Sequence, residues 1–219
     1  IQTAVAKNRI DLGTEIQASS EIKKIAQAFG AGLVGITSYD KRWEYSNKYS
    51  DMSLKSYPPE IPYTLSNVIV IAQPMDYELI KTVPSALSGS ATGLGYSHDA
   101  LTVLSLTQYI RNLGYEAIGS MNDTSLAIPY AIKAGLGEYG RNGLLITKKF
   151  GPRVRLGKIY TNLPLKHDKP IKFGVKEFCN ICNLCAKACP VKAIPEILPS
   201  EKTYNISNIS GVKKWSVDG

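Results

Sequence analysis

Cysteine is absent from the first 178 residues and the last 30 of this 219-residue chain; all four fall between positions 179 and 189. A disulfide framework scatters its cysteines to close loops, so that architecture is excluded. Long apolar runs are lacking as well. The strongest, at 68–72, is far short of the ~20 residues that span a bilayer, so no transmembrane segment is expected. There is no internal repeat, and no strand–GxGxxG–helix unit. GLGEYG at 135–140 is only a loose match and follows a helix, the wrong order for a dinucleotide site. Acidic residues are outnumbered 18 to 26, and the resulting +8 suits an acidic partner, a nucleic acid or an anionic surface without choosing among them. No charged leader precedes an apolar stretch, and the first residue is Ile1, so the chain is expected to be a mature or excised piece.

What is present is globular. Apolar residues make up 44% and charged residues 20%, which excludes disorder; the length suits one large domain, or one medium domain with a small module. Residues 19–29 read as an amphipathic helix capped by Ser19 or Ser20, with Ile22, Ile25, Ala26 and Phe29 on one face. A short strand follows at 33–37, then an aperiodic aromatic stretch at 39–51. The clearest buried strand is 67–74, ended by Pro74. The Gly- and Ser-rich stretch 82–97 reads as a long loop, of the kind that is more often functional than idle. Helices are expected at 98–112 and 124–134. Pro129 would kink the second unless it lies in the first turn. Strands are expected at 115–120, 143–147 and 154–163, and a Lys- and Pro-rich hinge at 165–173 leads to the cysteines.

Cys179-x2-Cys182-x2-Cys185-x3-Cys189-Pro190 is the bacterial ferredoxin spacing. Short loops let the first three thiolates reach three corners of one cubane, while the fourth points away and ligates a second cluster. Zinc sites use two separated CxxC pairs, which this run does not offer. A [4Fe–4S] site is the expectation. If Cys189 serves a second cluster, the ligand count is short: either a downstream cysteine segment is missing, which is the favoured expectation, or a non-Cys ligand completes a single cluster.

Four stretches carry a resemblance to a known family: AGLGEYGRNGLLITKKFGPRVRLGKIYTNLPL (134–165), KPIKFGVKEFCNICNLCAKACP (169–190), GYSHDALTVLSLTQYIRNLGYEAI (95–118) and GVKKWSVDG (211–219). Together they resemble the corrinoid iron–sulfur reductive dehalogenases; the related epoxyqueuosine reductases share part of the same skeleton. The resemblance implies an α/β (α+β) fold. A nitroreductase-like corrinoid-binding core would occupy 1–168, and an incomplete ferredoxin-like module, truncated at its C-terminal end, would occupy 169–219. It implies a cobalamin-type corrinoid and two [4Fe–4S] clusters in the complete protein, fed with single electrons, with cob(I)alamin acting on the carbon–halogen bond of an organohalide.

The residues matching the family's active-site pattern are Tyr96, Asn122 and Arg155. Tyr96 would supply the proton. A guanidinium beside a phenol favours its ionised form, and Arg155 fits that role because it stays charged. Asn122 would donate an amide N–H toward developing charge, although Asn122-Asp123 also reads as a turn or cap. Thr92, Tyr39 and Trp43 would line the substrate pocket, with core packing as the alternative for the two aromatics. Gly135, Gly137 and Gly140, with Arg141, would contact the corrinoid; a helix C-cap and loop is the competing account of the glycines. His98 and His167, the only histidines, read as surface or loop residues. Lys148, Lys149, Arg153, Lys158, Lys166, Lys169, Lys172 and Lys176 read as a solvated basic face, or as a surface for a redox partner or RNA.

The leading expectation is therefore an oxidoreductase of organohalide respiration. It would work with an electron donor or membrane-anchor protein at the outer face of the cytoplasmic membrane. Two alternatives stand beside it: an epoxyqueuosine reductase acting on tRNA in the cytoplasm, and a non-catalytic corrinoid or iron–sulfur electron carrier.

Overall fold

The structure, a computed structural model, describes residues 3–50, 53–59, 61–62, 64–205, 208 and 210–218. Asp51 and Gly219, which end two of the stretches read above, lie outside them. Two compact units emerge. One comprises residues 1–136 and 153–170, the other residues 137–152 and 171–219. The division differs from a single boundary at 168/169, because 137–152 joins the cysteine-bearing unit.

The larger unit is built on a four-stranded antiparallel sheet. It contains β1 (Leu33–Ser38), the short hairpin of β2 (Lys48–Ser50) and β3 (Lys55–Tyr57), β4 (Asn67–Pro74), β5 (Ala117–Ser120) and, after the excursion into the other unit, β8 (Val154–Thr161). The sheet order is β1-β4-β8-β5. Strand β4 is central and buried on both faces, which is why NVIVIAQP carries no polar alternation. Its parity sorts the core. Ile69 and Ile71, with Ile36 and Ile159, pack against Ala18, Ile22 and Ala26 of α1 (Glu15–Ala28) and Val103, Leu106 and Ile110 of α3 (Ala86–Asn112). Tyr160, of opposite parity on β8, meets Tyr130 of α4 (Ala127–Lys133) edge-on at 6.3 Å. A single turn, α2 (Tyr77–Ile80), precedes α3.

Three elements depart from the sequence expectation. Helix α1 starts four residues early, because Thr14 and Gln17 form a reciprocal capping box, leaving Ser19 buried inside the helix. The expected loop at 82–97 is largely helix. Ser85 caps α3 through a box with Ser88, and the helix runs unbroken for 27 residues. Its buried stripe is Ser88, Ala91, Gly95, Asp99, Thr102, Leu106 and Ile110, spaced three or four apart but built from small residues in its first half. A stripe without large apolar side chains has no hydrophobic periodicity to read. Farther along, α3 and β8 approach closely: a Cβ at Gly157 of β8 would lie 2.5 Å from Val103 and 2.6 Å from Asp99. Finally, α4 is shorter than expected, and Pro129 sits in its first turn, where it leaves the helix straight.

In the smaller unit, β6 (Glu138–Tyr139) pairs with β7 (Leu145–Ile146). The cysteines follow on α5 (Val175–Ile181), α6 (Leu184–Ala188) and their flanks. Among the described residues, no helix is long and apolar enough to cross a membrane.

Candidate functional site

Helix α3 presents Thr92 and Tyr96 one turn apart, facing Arg155 on β8. Arg155 shares its sheet face with Gly157 and Ile159. Gly95 leaves room for the stem of Arg155: a Cβ there would approach Arg155 Cγ to 3.2 Å. The guanidinium lies over the Tyr96 ring, 4.6 Å from its centroid, and Arg155 Nη1 donates to Tyr96 Oη at 3.3 Å. Its Nη2 donates to Thr92 Oγ1 at 3.4 Å. Asn122, from the loop after β5, donates its amide Nδ2 to the same phenol oxygen at 2.9 Å. Tyr96, Asn122, Arg155 and Thr92 are therefore one hydrogen-bonded group assembled from a helix, a loop and a strand.

The chemistry follows from counting donors. A phenol oxygen has one O–H to give and lone pairs to accept with. Two accepted bonds, from an amide and a cation, occupy those lone pairs and leave the O–H to point at something else. Both donors also favour the negative charge that appears on the oxygen once the proton leaves.

The loop that carries Asn122 is tied down by Lys158, a residue placed above among the solvated basic side chains. The structure buries Lys158 completely. Its Nζ donates to the carbonyls of Met121 and Ser125, the latter at 3.1 Å, clamping both sides of Asn122. Burial pushes its ammonium down to about 8, against the opposing pull of Asp123 and Asp99. Period-two alternation on β8 marks Lys158 as facing away from Arg155, and that was the available signal for it.

Asp99 lies one turn beyond Tyr96, buried, with Oδ1 unpartnered among the described residues. Burial raises its carboxyl to about 6, with Lys158 and Arg155 pulling the other way. A carboxyl that protonates more readily folded than unfolded costs stability once ionised, so stability is gained as pH falls from about 6 toward 4. Asp99→Asn is therefore expected to raise unfolding stability at pH 7.5 by up to roughly 3 kcal/mol. The gain should fade toward pH 4. Denaturant melts of both proteins across that range check it; a pH-independent difference contradicts the assignment.

A cavity of about 630 Å³ is lined by apolar and aromatic side chains such as Tyr45, Tyr49 and Leu104 together with Lys48, Asn122 and Asp123; of the hydrogen-bonded group only Asn122 lines it, and Tyr96, Arg155 and Thr92 do not. Trp43 and Tyr39, expected to wall the pocket, are not among its lining residues. Trp43 packs edge-on against Tyr130 at 4.7 Å, and Tyr39 against Tyr160 at 6.1 Å. Core packing accounts for both. The tyrosines that do line the cavity, Tyr45 and Tyr49, come from the same aperiodic stretch.

The nominated corrinoid contacts are also revised. Gly135, at φ +74°, is the left-handed residue of a Schellman cap on α4, with Leu136 N–H bonded to Ala131 O and Gly135 N–H to Ile132 O. A Cβ at Gly137 would fall 2.2 Å from Ile146 O, and one at Gly140 would fall 2.8 Å from Asn142 Oδ1. These glycines serve the chain's own packing. Arg141 is buried, and its guanidinium is spent on carbonyls of the cysteine unit: Cys179, Cys182, Pro195 and Ile197. Of the histidines, His98 is exposed, and His167 pairs with Asn67 Oδ1 at 2.6 Å.

In the cysteine unit, Glu138 Oε1 accepts from the N–H groups of Phe173 and Gly174 at the start of α5, at 2.6 and 3.1 Å. All four cysteines are free thiols, partly exposed. The backbone N–H of Ala193, joined by those of Ile194, Val191 and Lys192, holds the Cys189 thiol below its usual range. Burial raises that of Cys185, and the nearness of Cys179 adds to the rise. Among the described residues, no three His, Cys, Asp or Glu side chains are drawn together as a metal site. The donor set itself, four thiols in ferredoxin spacing with N–H groups turned on one sulfur, suits an iron–sulfur cluster.

One chain thus carries a phenol that accepts hydrogen bonds from an amide and a guanidinium, and four thiols in ferredoxin spacing. The family model described as the reductive dehalogenase subunit matches residues 46–165, more than half of the chain. The chain belongs to the reductive dehalogenase family. It is 40% identical to a tetrachloroethene reductive dehalogenase of Dehalobacter restrictus, over 92% of this chain and 44% of that protein. With the tetrachloroethene reductive dehalogenase of Sulfurospirillum multivorans it shares 35% identity, over 95% of this chain and 46% of that one. The chain thus spans less than half the length of these relatives. Among solved structures, a reductive dehalogenase whose structure suggests a mechanism for B12-dependent dehalogenation superposes with a TM-score of 0.82 at 25% identity, over 99% of this chain and 30% of that one. An epoxyqueuosine reductase bound to a tRNA stem loop reaches a TM-score of 0.56 at 18% identity, over 81% of this chain and 53% of that one, a likeness of fold alone.

Proposed function

We propose that this chain forms part of a corrinoid-dependent enzyme that replaces the halogen of an organohalide by hydrogen, consuming two electrons and one proton and releasing halide. The observation that carries the reading is the Tyr96 phenol oxygen with Asn122 and Arg155 both donating to it. Tyr96 gives the proton to carbon as the halide departs. Arg155 and Asn122 hold the charge left on the phenol oxygen, and Thr92 steadies the guanidinium. The cavity lined in part by Asn122 is the reading's place for the organohalide; its Leu104, Val103 and tyrosine side chains would meet a halocarbon, beside the polar Lys48 and Asp123.

None of these side chains is a reductant. When bound, a corrinoid would supply low-valent cobalt as the reductant of the carbon–halogen bond. Cys179, Cys182 and Cys185 would hold one [4Fe–4S] cluster and Cys189 would contribute to a second, bringing electrons singly. The packing of Gly135, Gly137 and Gly140 and the bonds from Arg141 to carbonyls of the cysteine unit account for these residues without a corrinoid. An electron-donor or anchor protein at the outer face of the cytoplasmic membrane belongs to the same reading.

The test is anaerobic loading of the complete protein with iron, sulfide and cobalamin, followed by metal analysis and an assay for halide release from chlorinated ethenes. Stoichiometric cobalt and released chloride are expected. Iron without cobalt would leave an electron carrier and overturn the proposal.

A further inference from the structure

Arg141 sits in the segment 137–152, far in sequence from the cysteines yet in the same compact unit. Its side chain is 1% exposed. Nε donates to the carbonyls of Cys179 and Cys182 at 3.1 and 3.0 Å, and Nη2 donates to Cys179 O at 2.6 Å. Nη1 donates to Pro195 O and Ile197 O, each at 2.8 Å. Trp215 lies under the guanidinium, 5.2 Å from its ring centroid, and donates Nε1 to the same Ile197 carbonyl at 3.1 Å. One cation therefore joins the cysteine run to the segment that follows it.

The charge balance is the informative part. Every bonded acceptor is a neutral carbonyl, and the ion pairs among the described residues, Lys23–Asp168, Arg42–Asp40 and Lys81–Glu78, do not involve Arg141. A buried cation without a counter-ion is costly. The anion nearest to hand is the one the cysteines would create, because a [4Fe–4S] cluster held by thiolates is net negative and gains one further negative charge on reduction.

We infer that Arg141 is a positioning residue for electron delivery: it clamps the carbonyls of Cys179 and Cys182 and serves as the buried counter-charge of the cluster those cysteines hold, favouring its reduced state. The inference rests on the iron–sulfur reading given above. A fixed positive charge in a poorly screened site stabilises the more negative reduced cluster more than the oxidised one, which raises the reduction potential. Lysine keeps the charge but loses the planar fork that reaches several carbonyls at once.

The experiment is an EPR-monitored redox titration, with iron analysis, of the complete loaded protein as wild type, Arg141→Gln and Arg141→Lys. A wild type without a reducible cluster signal overturns the iron–sulfur reading itself. Given that signal, Arg141→Gln is expected to move one midpoint to more negative potential, while Arg141→Lys stays close to wild type with reduced iron occupancy. A wild-type midpoint in Arg141→Gln, or an equal shift in both variants, overturns the inference. If Arg141→Gln cannot be loaded, Arg141→Lys decides. Loading at the wild-type midpoint upholds the counter-charge role, and failure to load reduces Arg141 to a structural clamp and overturns it.

Discussion

Tyr96→Phe is expected to lower dehalogenation by about 10²–10⁴-fold, the range over which a positioned acid contributes. Corrinoid and iron content should be unchanged. The substitution removes one oxygen atom from a ring whose position is otherwise fixed. Tyr96 stays on the same turn of α3, and Arg155 still lies over the ring face at 4.6 Å. What disappears is the O–H and the acceptor shared by Asn122 and Arg155. Asn122 is exposed and Arg155 partly so, and both can turn their freed donors to water, so the fold should lose little. Steady-state halide release, normalised to cobalt, is the measurement. Turnover within a few-fold of wild type would remove Tyr96 from its assigned role.

Arg155→Lys is expected to be nearly as damaging, with a loss of about 10²-fold, in the range for removing one preorganised donor. Arg155 acts at three points at once: one Nη on the phenol, the other on Thr92, and the flat guanidinium against the ring. An ammonium is a compact point charge on a flexible stem and cannot hold all three. The stem passes close to Gly95, where a Cβ would approach Arg155 Cγ to 3.2 Å. If the geometry matters beyond the charge, Arg155→Lys should fall well below wild type while Arg155→Gln falls further. Equal activity of wild type and lysine variant would mean that charge alone suffices. Single-turnover rates on the complete enzyme separate this from slower electron supply.

How much of this was legible in the sequence depends on how local each signal is. The cysteine run was legible because ligand spacing is a property of eleven consecutive residues. Strand β4 was legible because burial on both faces writes an unbroken apolar run. The first half of α3 was not, since its buried face is made of Ser, Ala and Gly and carries no hydrophobic periodicity. Tyr96 and Thr92 were thereby assigned to a loop, although their joint contact with Arg155 depends on helical spacing. The basic residues of the second half illustrate the same limit: Lys158 and Arg141 look like their solvent-facing neighbours until burial is known.

The sequence by itself determined the four-thiol module, the strands of the core sheet and the identity of the phenol, amide and guanidinium through family pattern. Only the tertiary structure decided that those three groups meet at one oxygen atom and that Lys158 steadies the loop bearing Asn122. It also showed the close packing around Gly137 and Gly140 and the carbonyls that Arg141 binds in the cysteine unit. The physical reason is range. Spacing and periodicity act over a few residues and leave a local trace, whereas a hydrogen bond between positions 26, 38 or 59 residues apart exists only once the chain has folded back on itself.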